Sequence, residues 1–172
     1  MMFFTSDTHF NHWTSDDRNI IAYCKRPFAS IHEMNAELIR RWNERVAPTD
    51  FVYHMGDFAL GPKDAIPSFF MQLNGEKVLI VGNHDGGATR RLSWAKCLPY
   101  LVIEGVGYLV HNPAHAPPHA SVRRVLHGHL HGTPDLHPFQ RHAHLTYADV
   151  GVDCWDFRPV TLPEIEARHG RG

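Results

Sequence analysis

The stretch Val78-Leu-Ile-Val-Gly-Asn-His-Asp85 places four apolar residues directly before a glycine and three polar residues. The apolar residues are mostly β-branched, which is typical of a buried strand, and Gly82 ends the run. Asn83, His84 and Asp85 then offer side chains that can bind a metal ion or transfer a proton. Because ligands bind at the carboxyl ends of strands in a sheet covered by helices, this stretch predicts one edge of a functional site.

Other apolar runs end in residues of the same chemistry. They are Met1-Met-Phe-Phe-Thr-Ser-Asp-Thr-His9, Phe51-Val-Tyr-His-Met-Gly-Asp57 and Val125-Leu-His-Gly-His-Leu-His131. A further histidine, His111, follows the apolar run Tyr108-Leu-Val110. The candidate metal ligands at all these strand ends are Asp7, His9, Asp57, Asn83, His111, His129 and His131.

These candidates combine carboxylate, amide and imidazole groups. Such a set suits Mn²⁺, Fe²⁺, Ni²⁺ or Zn²⁺ rather than Cu(I). One ion binds about four to six ligands, and these side chains exceed that number. They therefore favour two ions roughly 3.5–4 Å apart that share one carboxylate. Asp57 is the expected bridge because it lies in the middle strand and is the sole ligand candidate at its strand end.

The composition limits the class of protein. With 172 residues, we expect a single domain over residues 1–172. The net charge of -1 excludes a broad basic footprint for nucleic acid or a membrane, although nucleic acid stays open as a substrate. Three widely spaced cysteines, Cys24, Cys97 and Cys154, indicate reduced thiols in a cytoplasmic protein. No apolar segment approaches the ~18–20 residues of a membrane span, and we expect no signal peptide.

Apolar periodicity predicts alternating strands and helices in the first half of the chain. The capping-box sequence Ser30-Ile-His-Glu33 opens a helix that runs to about Arg45. The other elements predicted there are strands at residues 2–6, Phe51–Met55 and Val78–Val81, and helices over Arg18–Lys25, Lys63–Leu73 and residues 88–96. After Pro99 we predict the strands Tyr100–Glu104, Tyr108–His111, Val122–His127 and His144–Val150. This order predicts a layered α/β domain whose second half is a largely antiparallel sheet, with a hairpin at Gly105-Val-Gly107.

Five short blocks occur in order over residues 7–131: Asp7-x-His9, Gly56-Asp57, Gly82-Asn-His-Asp85, His111 after an apolar strand, and Gly128-His-Leu-His131. Together they resemble the signature of the calcineurin-like metallophosphoesterases. The resemblance implies an α/β fold, a β-sandwich flanked by helices, with the site at the C-terminal ends of the strands. The context Ser6-Asp-Thr-His-Phe-Asn-His12, with Asn19-Ile-Ile21 and Arg26-Pro-Phe28 after it, resembles a group of small bacterial and phage phosphoesterases in that superfamily.

The resemblance also implies a role for each matching residue. One metal ion would be held by Asp7, His9, Asp57 and His131, and the other by Asp57, Asn83, His111 and His129. His84 would bind no metal and would act as general acid or phosphate contact. In the mechanism expected from these charges, a hydroxide that bridges the two ions attacks phosphorus in line while His84 donates to the leaving oxygen.

Three further residues are candidates for substrate binding. His12 either contacts the phosphate or caps a loop. Arg26 either clamps a phosphate or ends a helix, and we favour the structural role. Asp85 is the neighbour that could orient His84.

One departure narrows the expected function. Gly56-Asp57 continues as Phe58-Ala-Leu-Gly61 and lacks the Asp-Arg-Gly of serine/threonine protein phosphatases, which argues against a phosphoprotein phosphatase. We expect hydrolysis of a phosphodiester or another small phosphate ester. The alternatives are a phosphomonoesterase or a nuclease on the same site, and a binding scaffold that has lost catalysis. The sequence leaves the substrate, the native metal and the oligomeric state open.

Overall fold

The computed structural model of the protein describes residues 1–14, 19–116, 122–133, 142 and 144–170, and the strands within them form two sheets. The first sheet consists of β1 (Met2–Thr5), β2 (Phe51–His54), β3 (Glu76–Ile80), β4 (Lys96–Leu98) and β9 (Val160–Thr161), in the order β4-β3-β2-β1-β9. The second consists of β5 (Tyr100–Ile103), β6 (Gly107–Val110), β7 (Arg124–His127) and β8 (Thr146–Asp149), in that order. In the first sheet β1 to β4 are parallel, and β9 is antiparallel to β1.

The second sheet differs from the prediction. β5 and β6 form the predicted antiparallel hairpin around Gly105-Val-Gly107. The pairs β6–β7 and β7–β8 are parallel, so the prediction of a largely antiparallel sheet is wrong. The reason is the length of the connections, residues 111–123 and 128–145, since a crossover between parallel strands needs about a dozen residues or more. As a result β6, β7 and β8 all end at the same edge of the sheet.

The helices are α1 (Ile20–Cys24), α2 (Ile31–Arg45), α3 (Ile66–Gln72), α4 (Gly87–Arg90) and α5 (Leu162–His169). The start predicted for the first helix, Arg18, lies outside the described residues. α2 begins as predicted, because the Ser30 hydroxyl accepts the N–H of Glu33 at 3.1 Å. The Glu33 carboxylate in turn accepts the N–H of Ala29 at 2.7 Å.

Three boundaries differ from the predicted helices. α3 begins at Ile66 rather than Lys63, which places Pro67 in the first turn, where a missing N–H costs nothing. The helix predicted over residues 88–96 ends at Arg90, because Lys96–Leu98 pairs with β3 as an edge strand. α5 was not predicted, and it opens with a capping box between Thr161 and Glu164.

Two of the three apolar clusters among the described residues pack against the first sheet, one on each of its faces. Met34, Leu38 and Trp42 of α2 pack with Phe3 and Val52 on the outer face of the first sheet. The second layer lies between the sheets and contains Phe4, Ile80, Leu109, Leu126 and Ala148. Successive residues of a strand point to opposite faces, so Phe3 and Phe4 enter different layers. The predicted β-sandwich flanked by helices is therefore confirmed.

None of the helices in the described part of the chain combines the length and the apolar character that crossing a membrane requires.

Candidate metal centre

The predicted ligands meet at one edge of the sandwich. They follow β1 (Asp7 and His9), β2 (Asp57), β3 (Asn83), β6 (His111) and β7 (His129 and His131). Parallel strands end at a common edge, and the two packed sheets present these edges on the same side of the molecule. Residues that lie far apart in the sequence are thereby brought within a few ångströms of one another.

The backbone at this edge adopts an unusual conformation. The φ angles of Asp7, His9, Asp57, His129 and His131 are 57°, 49°, 57°, 73° and 50°. Residues other than glycine seldom enter this left-handed region, and each such residue costs about 1–3 kcal/mol. Backbone strain of this kind collects at binding and catalytic sites, where it directs side chains to positions that regular strands cannot reach. Five of the seven predicted ligands share it.

The first group of ligand atoms surrounds His9. Its Nε2 atom lies 3.9 Å from Asp7 Oδ1 and 3.6 Å from Asp57 Oδ2, and His131 Nε2 lies 4.0 Å from the same Asp7 oxygen. Two atoms bonded to one ion at about 2.1 Å are about 3.0–4.2 Å apart, so these distances suit a shared cation. His9 Nε2 and Asp7 Oδ1 are buried without a hydrogen-bond partner among the described residues. A cation bound to both atoms would satisfy them.

The second group includes Asn83, His111 and His129. Asn83 Oδ1 lies 2.8 Å from His111 Nε2 and 3.0 Å from His129 Nδ1. His111 Nε2 also lies 3.4 Å from Asp57 Oδ2, the oxygen that faces His9 in the first group. One carboxylate oxygen of Asp57 thus lies between the two groups, where a bridging ligand is needed. The first group fits a divalent cation by distance and by donor chemistry. The second fits by donor chemistry, and its 2.8 Å contact between Asn83 and His111 would lengthen slightly around an ion.

Asp153 is a residue of this site that the sequence did not indicate. Its Oδ2 atom lies 2.8 Å from His131 Nδ1, which leaves Nε2 of that ring directed at the first group. Arg26 holds the same carboxylate through two hydrogen bonds of 2.8 Å. Carboxylates behind a ligating histidine fix its orientation and its tautomer. Asp153 is therefore placed to position His131.

Arg26, which the sequence left open between substrate binding and a structural role, makes its contacts inside the protein. Its side chain is 0% exposed, and it donates to Asp153 and to the backbone carbonyls of Asp7 and Thr8. These contacts favour the structural role over substrate binding. Cys24, His131 and Asp153 form a further group that could hold a metal ion by distance, although Arg26 already pairs with the Asp153 carboxylate.

We expect Asp153→Asn to weaken metal binding about 10- to 100-fold, the usual effect of changing a residue behind a ligand. The amide has nearly the same size, but it lacks the charge that holds His131 and Arg26. Equilibrium binding of Mn²⁺ measures the effect. Asp156→Asn is the control, because that side chain is 75% exposed and pairs with Arg41 at the surface. Equal Mn²⁺ affinity in the two variants would exclude a positioning role for Asp153.

Asp85 is likewise a structural residue and not a substrate contact. It is 1% exposed, and its carboxylate accepts the backbone N–H groups of Asp57, Phe58 and Gly82 at 2.7–3.0 Å. These bonds join the ends of β2 and β3 and use both oxygens. The expected contact with the His84 ring is therefore wrong, because the carboxylate faces the backbone beneath the ligands.

Two glycines allow the carboxylates to approach the backbone closely. A Cβ atom on Gly82 would lie 2.2 Å from Asp57 Oδ1, and one on Gly128 would lie 2.4 Å from Asp7 Oδ2. Any side chain at either position would displace a candidate ligand. The glycines of the Gly-Asn-His-Asp and Gly-His-Leu-His blocks are thus explained by contact with the ligands.

A pocket of about 480 Å³ opens beside the ligand cluster. It is lined by His9, His12, Thr14, Ile20, Tyr23, Asp57, Asn83, His84, His129 and His131. His84 is exposed, its ring centroid lies 5.4 Å from that of His9, and its backbone N–H donates to Asp57 Oδ1 at 2.8 Å. Of the four residues predicted to act on substrate, His12 and His84 line this pocket.

Burial and hydrogen bonding together decide where protons reside in the cluster. Burial raises the pKa of Asp7 to about 6. Burial also opposes charge on His111 and His131, but hydrogen bonds to Asp57 and Asp153 outweigh it and raise their pKa to about 9 and about 11. Because histidine binds a metal only as the neutral base, cations would displace these protons.

The family of the chain follows from its relatives. The model of the calcineurin-like phosphoesterase family matches residues 2–155, which include every candidate ligand. An uncharacterised protein of Methanocaldococcus jannaschii, MJ1445, is 36% identical over 170 residues, which cover 95% of this chain and 88% of the relative. The crystal structure of a protein of unknown function from Aquifex aeolicus, AQ665, has the same fold, with a TM-score of 0.76 and 24% identity over 98% of each chain. The protein belongs to the calcineurin-like phosphoesterase family, which implies metal-dependent hydrolysis of phosphate esters.

Proposed function

We propose that this protein is a dinuclear metal-dependent phosphodiesterase in which two divalent cations share Asp57. One observation carries the proposal: Asp57 Oδ2 lies 3.6 Å from His9 Nε2 and 3.4 Å from His111 Nε2. The donor set suits Mn²⁺, Fe²⁺, Ni²⁺ or Zn²⁺. Such ions, when bound, neutralise charge on phosphate oxygens and acidify water.

In this proposal Asp7, His9, Asp57 and His131 hold one ion, and Asp57, Asn83, His111 and His129 hold the other. His84 binds neither. Its backbone is fixed to Asp57 Oδ1, and its side chain lines the pocket, where it donates a hydrogen bond to the substrate and acts as general acid for the leaving oxygen.

The charge of the pocket favours a diester. A phosphate monoester carries about −1.5 to −2 charge at neutral pH, whereas a diester carries a single negative charge. Among the described residues that line the pocket there is no lysine or arginine to balance the additional charge. The net charge of -1 also favours a small ester over a nucleic acid.

We also place the protein in the cytoplasm. Cys24, Cys97 and Cys154 are all free thiols, which is the state that a reducing compartment maintains.

Metal-dependent hydrolysis of two simple esters tests the function. Protein stripped with a chelator should cleave neither bis(p-nitrophenyl) phosphate nor p-nitrophenyl phosphate. Added Mn²⁺ should restore cleavage, with kcat/KM at least about tenfold higher for the diester, a difference of about 1.4 kcal/mol in transition-state binding. A preference for the monoester would make the protein a phosphatase. Turnover of neither ester by protein that demonstrably holds metal would favour a binding scaffold.

A further inference from the structure

Two histidines of the pocket are joined by a hydrogen bond that the roles given so far do not use. His9 Nδ1 and His12 Nδ1 are 3.1 Å apart, and the two rings stack with centroids separated by 5.0 Å. The backbone N–H of His12 also donates to the carbonyl of His9 at 3.1 Å, which fixes the spacing of the two residues. Only one of the two facing nitrogens can carry the proton of this bond.

A metal ion bound to His9 would decide which nitrogen carries this proton. His9 directs Nε2 at Asp7 and Asp57, so Nε2 is the ligand atom of its ring. A neutral imidazole that ligates through Nε2 has its proton on Nδ1. His9 is then the donor and His12 Nδ1 the acceptor. His12 in its turn must carry its single proton on Nε2, because a second N–H at Nδ1 would bring two donors face to face.

We propose that His12 is a catalytic residue whose Nε2–H donates a hydrogen bond to a phosphate oxygen of the substrate, and that metal binding at His9 fixes this donor. The inference rests on the proposed function and deepens it. His12 lines the pocket, and its ring centroid lies 5.8 Å from that of His84, so one phosphate can contact both rings. The His12 donor is uncharged and stabilises the phosphate without transferring a proton.

A merely structural His12 would support His9 and nothing more. The two roles separate in His12→Asn, because the asparagine δ-oxygen occupies the place of Nδ1 and still accepts from His9. Asparagine has no atom at the ε position, so the donor to the substrate is lost. His12→Ala removes both functions. The exposed histidine of α2, His32, provides the control His32→Asn.

We expect His12→Asn to bind Mn²⁺ as the wild type does. Its affinity for inorganic phosphate and its kcat/KM for bis(p-nitrophenyl) phosphate should each fall about 10- to 100-fold. This decrease is somewhat smaller than the decrease in rate that follows removal of a hydrogen-bond donor to a full oxyanion. His12→Ala should weaken Mn²⁺ binding as well. Wild-type phosphate affinity and kcat/KM in His12→Asn would overturn the proposal.

The tautomers provide a test that needs no turnover. In Zn²⁺-loaded protein, long-range ¹H–¹⁵N spectra should show His9 protonated at Nδ1 and His12 protonated at Nε2. A proton on His12 Nδ1 would overturn the inference and leave the proposed function intact. Failure of the wild type to cleave either ester would remove the proposed function, while phosphate binding and the tautomers would still decide whether His12 is the donor.

Discussion

Asp57→Asn is expected to prevent the protein from holding two cations. Asp57 Oδ2 faces both ligand groups, and asparagine supplies neither the charge nor a second oxygen. Changing a residue behind a metal ligand costs about 10- to 100-fold in affinity, so loss of a shared ligand should cost more than about 100-fold. Asparagine tolerates the left-handed φ of 57° at this position, which separates the metal effect from backbone strain.

Metal content after dialysis against Mn²⁺, together with hydrolysis of the diester, measures this loss. Asp156→Asn is a matched control, because Asp156 also has a left-handed φ of 53° but lies at the surface. We expect two ions per chain in the control and fewer than two in Asp57→Asn, with both variants folded by circular dichroism. Two tightly bound ions in Asp57→Asn would show that this carboxylate is not shared.

His84→Ala is expected to keep both metal ions bound and to lose most of the catalytic rate, unlike Asp57→Asn. The N–H that donates to Asp57 belongs to the backbone, so alanine retains it and both ions should stay bound. The imidazole that we propose as general acid is lost, and the rate should fall about 10²- to 10⁴-fold, as for other general acids. Metal analysis and kcat for the diester are the two measurements, with His32→Ala as control. Full activity in His84→Ala would exclude the imidazole from the chemistry.

The strands and the candidate ligands of the first sheet could be predicted because their signals are local. Runs such as Phe51–Met55 are apolar over a few residues and end at a glycine, so the strand and the polar residue after it lie together in the sequence. The capping box before α2 is a local signal of the same kind. In both cases neighbouring residues alone determine the structure.

The remaining features depend on contacts between distant parts of the chain. Residues 91–98 have no strong strand pattern, and the edge of β3 gives Lys96–Leu98 its conformation. The parallel pairing of β7 with β6 joins strands that are separated along the chain, and composition does not specify it. The role expected for Asp85 failed for the same reason, since Asp85 follows His84 in the sequence but its carboxylate accepts backbone N–H groups of residues 57 and 58.

Asp153 is the clearest example of a site residue that the sequence alone does not reveal. It lies 22 residues from His131 and 127 from Arg26, so no spacing motif relates the three. The signal that identifies it is geometric: a partly buried carboxylate that contacts the far nitrogen of a candidate ligand's ring.

The sharing of Asp57 by two cations is tested most directly by electron paramagnetic resonance of metal-free protein titrated with Mn²⁺. Two ions that share an oxygen ligand about 3.5–4 Å apart couple magnetically. We predict binding of two Mn²⁺ per chain, with the signal of isolated ions replaced by that of a coupled pair at saturation. Saturation at one ion, or two ions that give only the isolated signal, would contradict a centre bridged by Asp57.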